Sequence, residues 1–87
     1  MNSWFDRYLK SLGAGDSVLH ADEAQLVLKL AGETAHTSGA RPYAPLAAYL
    51  AGRAAAGLSR EGRLRMLELA VSSAAAAGTA GEDLELD

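Results

Sequence analysis

The stretch Gly39-Ala40-Arg41-Pro42-Tyr43-Ala44-Pro45 constrains the fold of this 87-residue chain more than any other. Each proline lacks an N–H and restricts the residue before it, so one regular helix cannot run through both. A helix is expected to stop near Gly39 and another to begin near Pro45, a position where the missing N–H costs nothing. The result is a hinge between two helices with Arg41 held at it.

The pattern on either side is helical. Ser3 reads as the cap of a first helix, about Trp4 to Leu12, with Asp6 near its positive end and Gly13 as its stop; Phe5, Tyr8, Leu9 and Leu12 recur at helical spacing beside Trp4. Asp22, with Gln25 in capping-box position, opens a second helix that ends near Thr37. Its expected buried stripe is Ala24, Val27, Leu28, Ala31 and Ala35, widened by Leu26 and Leu30. Pro45 begins the third helix, where Leu46, Tyr49 and Leu50 form the apolar stripe. Ala47, Ala48, Ala51, Gly52 and Ala55 leave a face small enough for close approach of another helix. Gly57 ends that helix and Ser59 caps a fourth, whose buried face runs through Leu64, Leu67, Ala70, Val71 and Ala74 to Gly78.

No strand-length alternation and no internal repeat interrupts this. The expected fold is all-α, a small four-helix bundle-like domain over residues 1–78 with a Pro-x-x-Pro hinge between helices two and three. Residues 79–87 read as an acidic, disordered tail, since four acids leave only Leu84 and Leu86 to bury.

Composition removes several function classes. A domain this short hides only about 60 to 65% of its unfolded-chain surface, so stability has little margin and self-association as a homodimer would help. With no cysteine there is no disulfide or thiolate site. His20 and His36 stand too far apart in sequence for a metal pair, and no metal or other cofactor is expected. The N-terminus lacks the basic and apolar regions of a secretory signal, and no apolar run is long enough for a bilayer, which points to the cytoplasm and away from a membrane. A net charge of -3 argues against nucleic acid as a partner. The charge is nonetheless uneven: Arg41, Arg53, Arg60, Arg63 and Arg65 face only Glu61 over residues 41–65, while the tail carries Glu82, Asp83, Glu85 and Asp87.

Three residues stand out as contacts for a ligand or partner. Arg41 precedes a helix start, where free N–H groups and the dipole favour an anion such as phosphate. Its structural alternative is to cap the carbonyls ending helix two or to pair with Glu33. His36, on the last turn of helix two, suits the negative helix end when protonated, and no nucleophile or acid is paired with it. Tyr43, between the prolines, is the expected exposed member of an aromatic set whose others, Trp4, Phe5, Tyr8 and Tyr49, read mostly as core by spacing. Gly15-Asp16-Ser17-Val18-Leu19 has the look of a phosphopantetheine attachment motif, but only 16 residues precede Ser17 and a carrier protein needs a long helix there. A capped turn is the expected reading. No catalytic residue emerges, so the chain is not expected to be an enzyme.

The residues Ala35-His36, Ala40-Arg41-Pro42-Tyr43-Ala44-Pro45-Leu46, Tyr49-Leu50 and Gly52, with Trp4, Leu12-Gly13 and the Leu28 to Ala31 run ahead of them, resemble an actinobacterial family of domains of unknown function. Members of that family stand alone or extend the molybdenum cofactor guanylyltransferase, also called molybdopterin-guanine dinucleotide biosynthesis protein A. The resemblance implies a non-catalytic accessory or protein-interaction role associated with molybdenum cofactor biosynthesis, with that guanylyltransferase as the candidate protein partner. The enzyme's glycine-rich nucleotide-binding segment has no counterpart here. The alternative is a domain that binds a small nucleotide, phosphate or pterin through the Arg41 hinge.

Overall fold

The computed structural model describes residues 2–80. Four helices account for their regular structure: α1 (Ser3–Ser11), α2 (Ala21–Ser38), α3 (Tyr43–Ala55) and α4 (Arg60–Ala77). The all-α architecture is as expected, and the differences lie at helix starts and in which faces are buried.

Asn2, not Ser3, caps α1; its side chain accepts from the Phe5 N–H at 3.0 Å. At the other end Gly13 takes φ 76°, which lets the Gly13 N–H reach Lys10 O and the Ala14 N–H reach Leu9 O. That pair of bonds is a Schellman closure and satisfies carbonyls the helix leaves open. α2 starts one residue before Asp22, with His20 at its cap position and no capping side chain. Asp22 Oδ1 instead accepts the Glu23 N–H at 2.8 Å within the first turn. Gly39, at φ 74°, ends α2 as its sequence suggests. α3 begins at Tyr43, two residues ahead of Pro45. The first-turn N–H groups of a helix have no intrahelical partner, so proline is tolerated at its third position as well as its first. Ser59 caps α4 as expected, accepting from the Gly62 N–H at 3.1 Å.

α2 lies against both α3 and α4, which also touch each other. Leu30, Ala51 and Leu67 meet at the centre, one from each of these helices, with Leu26, Val27, Ala47, Ala70, Val71 and Ala74 packed around them. The α4 face matches its expected stripe. α3 is turned the other way: its alanine face is buried through Ala51 and Ala55, whereas Tyr49 and Leu50 are more than half exposed. Small side chains let the α3 backbone come close to α2, and a helix that packs on its small face must send its large residues outward. Gly52 is on the open side, where an added Cβ would meet nothing within 4 Å. The line buried along α2 is also rotated from the expected one, passing through Glu23, Leu30, Thr34 and Ser38 and leaving Leu28 72% exposed.

α1 packs on none of the other helices. The radius of gyration, 14.0 Å, exceeds the roughly 12 Å of a compact chain of this length. Trp4 stacks on Tyr8 with ring centroids 5.2 Å apart and meets Phe5 edge-on at 5.0 Å, so the N-terminal aromatics form a local cluster. Trp4, Tyr8 and Tyr49 are exposed while Tyr43 is half-buried, the reverse of the expected order. No described helix is long and apolar enough to cross a membrane. In the segment read as a tail, the Ala80 N–H donates to Ser38 O at 3.1 Å, returning the chain to the end of α2. Residues 81–87, which hold the four acids, lie outside the described residues.

Candidate functional site

The α2–α3 corner is short. Ser38 Oγ accepts the Ala40 N–H at 3.1 Å and donates to Ala40 O at 3.2 Å, which fixes the turn straight after α2. The Tyr43 N–H then donates to Ala40 O and the Ala44 N–H to Arg41 O, both at 3.1 Å. Pro45 has no N–H to give. The first three positions of α3 therefore offer an anion no free backbone donor, which removes the physical ground on which Arg41 was read as half of a phosphate site.

His36 and Arg41 are both exposed at this corner, and Tyr43 is half-buried. Among the described residues no hydrogen bond or ion pair joins the three. The expected Arg41–Glu33 pair is not formed either; Glu33 Oε1 accepts instead from Thr37 Oγ1, at 3.3 Å. Of the other arginines, Arg60 binds Asp22 at 2.8 Å and Arg63 binds Glu23 at 2.8 Å, tying the start of α4 to the start of α2. Arg53 sits over the Tyr49 ring, 5.8 Å from its centroid. Much of the basic character over residues 41–65 is thus engaged within the domain.

Desolvation pushes the Asp22 carboxyl up, but the Glu23 N–H, the Arg60 hydrogen bond and the Arg60 charge outweigh it and hold the group below its ordinary value.

Of the three candidate residues only Tyr43 lines the main concavity, an open groove of about 540 Å³ between α3 and α4. Leu50 and Ala54 contribute to one wall, Leu69 and Ser73 to the other, and Thr34 of α2 lies between them. Among the described residues no side chain that lines it is charged. Leu50 of α3 and Leu69 of α4 are exposed on the two sides of the groove, outside the core that Ala51 and Leu67 form with Leu30. Thr34 is 8% exposed and its Oγ1 has no hydrogen-bond partner among the described residues. Hydrophobic periodicity could not single it out, since threonine breaks the apolar pattern that locates a buried face.

A second apolar surface lies on α1, where Trp4, Tyr8 and Leu12 are 55%, 47% and 60% exposed on one face of the helix.

Comparison adds one identification. Neither a curated protein nor a solved structure matches the chain. A family model described as a domain of unknown function, DUF6457, matches residues 1–84, so with nearly all of its length covered the chain belongs to the DUF6457 family.

Proposed function

We propose that this chain is a non-catalytic protein-interaction domain that docks through α1. The observation that carries the reading is the aromatic face of that helix, which has no partner helix among the described residues. A nine-residue helix is marginal in water by itself, and helices in proteins draw most of their stability from packing an amphipathic face. α1 has such a face and packs it on no other helix of the domain. A partner surface that takes Trp4, Tyr8 and Leu12 would supply what the domain leaves out, and aromatic anchors of this kind dominate binding energy at interfaces.

The partner we favour is the molybdenum cofactor guanylyltransferase, which rests on the sequence resemblance described above. The chain has one tryptophan, Trp4, so its emission reports directly on this face. Titrating purified guanylyltransferase into the chain should shift Trp4 emission to the blue with saturation, and Trp4→Ser with Tyr8→Ser should abolish complex formation in sedimentation. An unshifted emission alongside a complex would move the docking surface elsewhere, and no complex at all would remove this enzyme as the partner. The alternative, an anionic nucleotide, phosphate or pterin held by Arg41, is supported by the exposure of that side chain alone. It predicts saturable thermal stabilisation by guanine nucleotide that Arg41→Ala removes.

A further inference from the structure

We infer that the α3–α4 groove is the seat of the chain's own residues 81–87, with Leu84 and Leu86 against its apolar walls and the acids between them beside Arg53 and Arg65. This inference is independent of docking through α1. It starts from where the described chain ends. Gly78, Thr79 and Ala80 belong to the lining of the groove, and the Ala80 N–H donates to Ser38 O at 3.1 Å. After α4 the backbone is therefore held within the groove, at the end where Tyr43 begins α3, and residue 81 follows directly from that point.

Length and pattern both suit the segment to the site. The part of α3 that lines the groove, Tyr43 to Ala54, rises about 16 Å. Residues 81–87 reach roughly 23 Å when extended, enough to run from Ala80 to the α3–α4 connection. Asp83-Leu84-Glu85-Leu86-Asp87 alternates acid and leucine, and alternate side chains of an extended chain share a face. Leu84 and Leu86 then meet one surface together, and the groove offers them Leu50 and Leu69, both exposed on its walls.

Charge at the rim complements the segment. Arg53 lies one helical turn from Leu50, and Arg65 one turn from Leu69, both toward the α3–α4 connection. Both are exposed, and among the described residues neither pairs with a carboxylate; Arg53 sits over the Tyr49 ring. Residues 81–87 carry four acids and no base, and Glu85 and Asp87 come at the end that reaches these arginines. The attachment at Ala80 favours this occupant over a second copy, because a segment tethered beside its site meets it at an effective concentration of about a millimolar.

The test is methyl NMR on the full chain with labelled leucines. Nuclear Overhauser contacts are expected from the Leu84 and Leu86 methyls to those of Leu50 and Leu69, and in a mixture of labelled and unlabelled chains none should pass between molecules. Arg53→Glu with Arg65→Glu should remove the contacts, and adding Glu85→Lys with Asp87→Lys should restore them. The neutral apolar fluorophore N-phenyl-1-naphthylamine should bind Leu84→Ser with Leu86→Ser several-fold more tightly than the unaltered chain, since the variant leaves the groove open. Trp4→Ser with Tyr8→Ser should change none of these results. Absence of the contacts in the unaltered chain, or equal dye binding by the leucine variant, would overturn the inference. Contacts found only between molecules would overturn it in favour of a second copy, and contacts that survive the arginine reversal would overturn the role of Arg53 and Arg65.

Discussion

Arg63 Nε donates to Glu23 Oε1 at 2.8 Å across 40 positions of sequence, and the Glu23 side chain is only 11% exposed. The pair closes the end of the domain where α4 begins, and Arg63 also donates to Leu58 O at 3.1 Å, binding the α3–α4 connection into the same contact. A carboxylate buried this far needs its partner more than an exposed one does.

Removing the arginine alone should therefore hurt more than removing both partners. Arg63→Ala is expected to cost about 1 to 3 kcal/mol, while Glu23→Leu with Arg63→Met should recover most of the loss. Urea unfolding of the two variants decides the matter, and equal losses would mean that Glu23 is adequately solvated without Arg63.

The Asp22–Arg60 pair is exposed and should show itself through pH instead. Because the folded state holds the Asp22 carboxyl below its ordinary value, the associated stability is present above the usual aspartate range and is lost as pH falls through the lowered value. Asp22→Asn should flatten that part of the acid limb, with the difference from wild type shrinking at high salt. Urea midpoints between about pH 2 and 6 provide the check. An unchanged acid limb in the variant would show the pair to be idle.

Leu28 and Leu30 are chemically identical and two residues apart on α2, yet they differ in exposure from 72% to 1%. Leu30→Ala is expected to cost about 2 to 5 kcal/mol, as core truncations do, and Leu28→Ala less than about 0.5 kcal/mol. Comparable losses would require Leu28 to be covered, which self-association would achieve, and repeating the measurement at several protein concentrations would expose that.

Two glycines should respond in opposite directions. Gly52 lies in an exposed stretch of α3 with open space beside it, so Gly52→Ala should stabilise by about 0.5 to 1 kcal/mol. Gly39 has equally open surroundings but sits at φ 74°, and Gly39→Ala should destabilise by about 1 kcal/mol. Thermal melts of the two variants separate steric room from backbone conformation. A destabilised Gly52→Ala would restore the close-packing role that small residues around it suggest.

Much of the architecture is determined locally. Pro42, the glycines at 13, 39, 57 and 78 and the capping Ser59 divide the chain into four helices because each acts on its own backbone, through a missing donor, a positive φ or a side-chain acceptor within three residues. The buried face of α4 was legible as well, since Leu64, Leu67, Ala70, Val71 and Ala74 recur at helical spacing. α2 and α3 were not. α2 carries apolar residues on more than one side, and the contacts from α3 and α4 choose the line that includes polar Glu23, Thr34 and Ser38. In α3 the alanine and leucine faces are both apolar, and packing against Leu30 of α2 and Leu67 of α4 selects the one that carries Ala51. The groove and the buried Thr34 hydroxyl follow from those choices. They depend on which surfaces meet, a relation among residues far apart in the chain that no local pattern encodes.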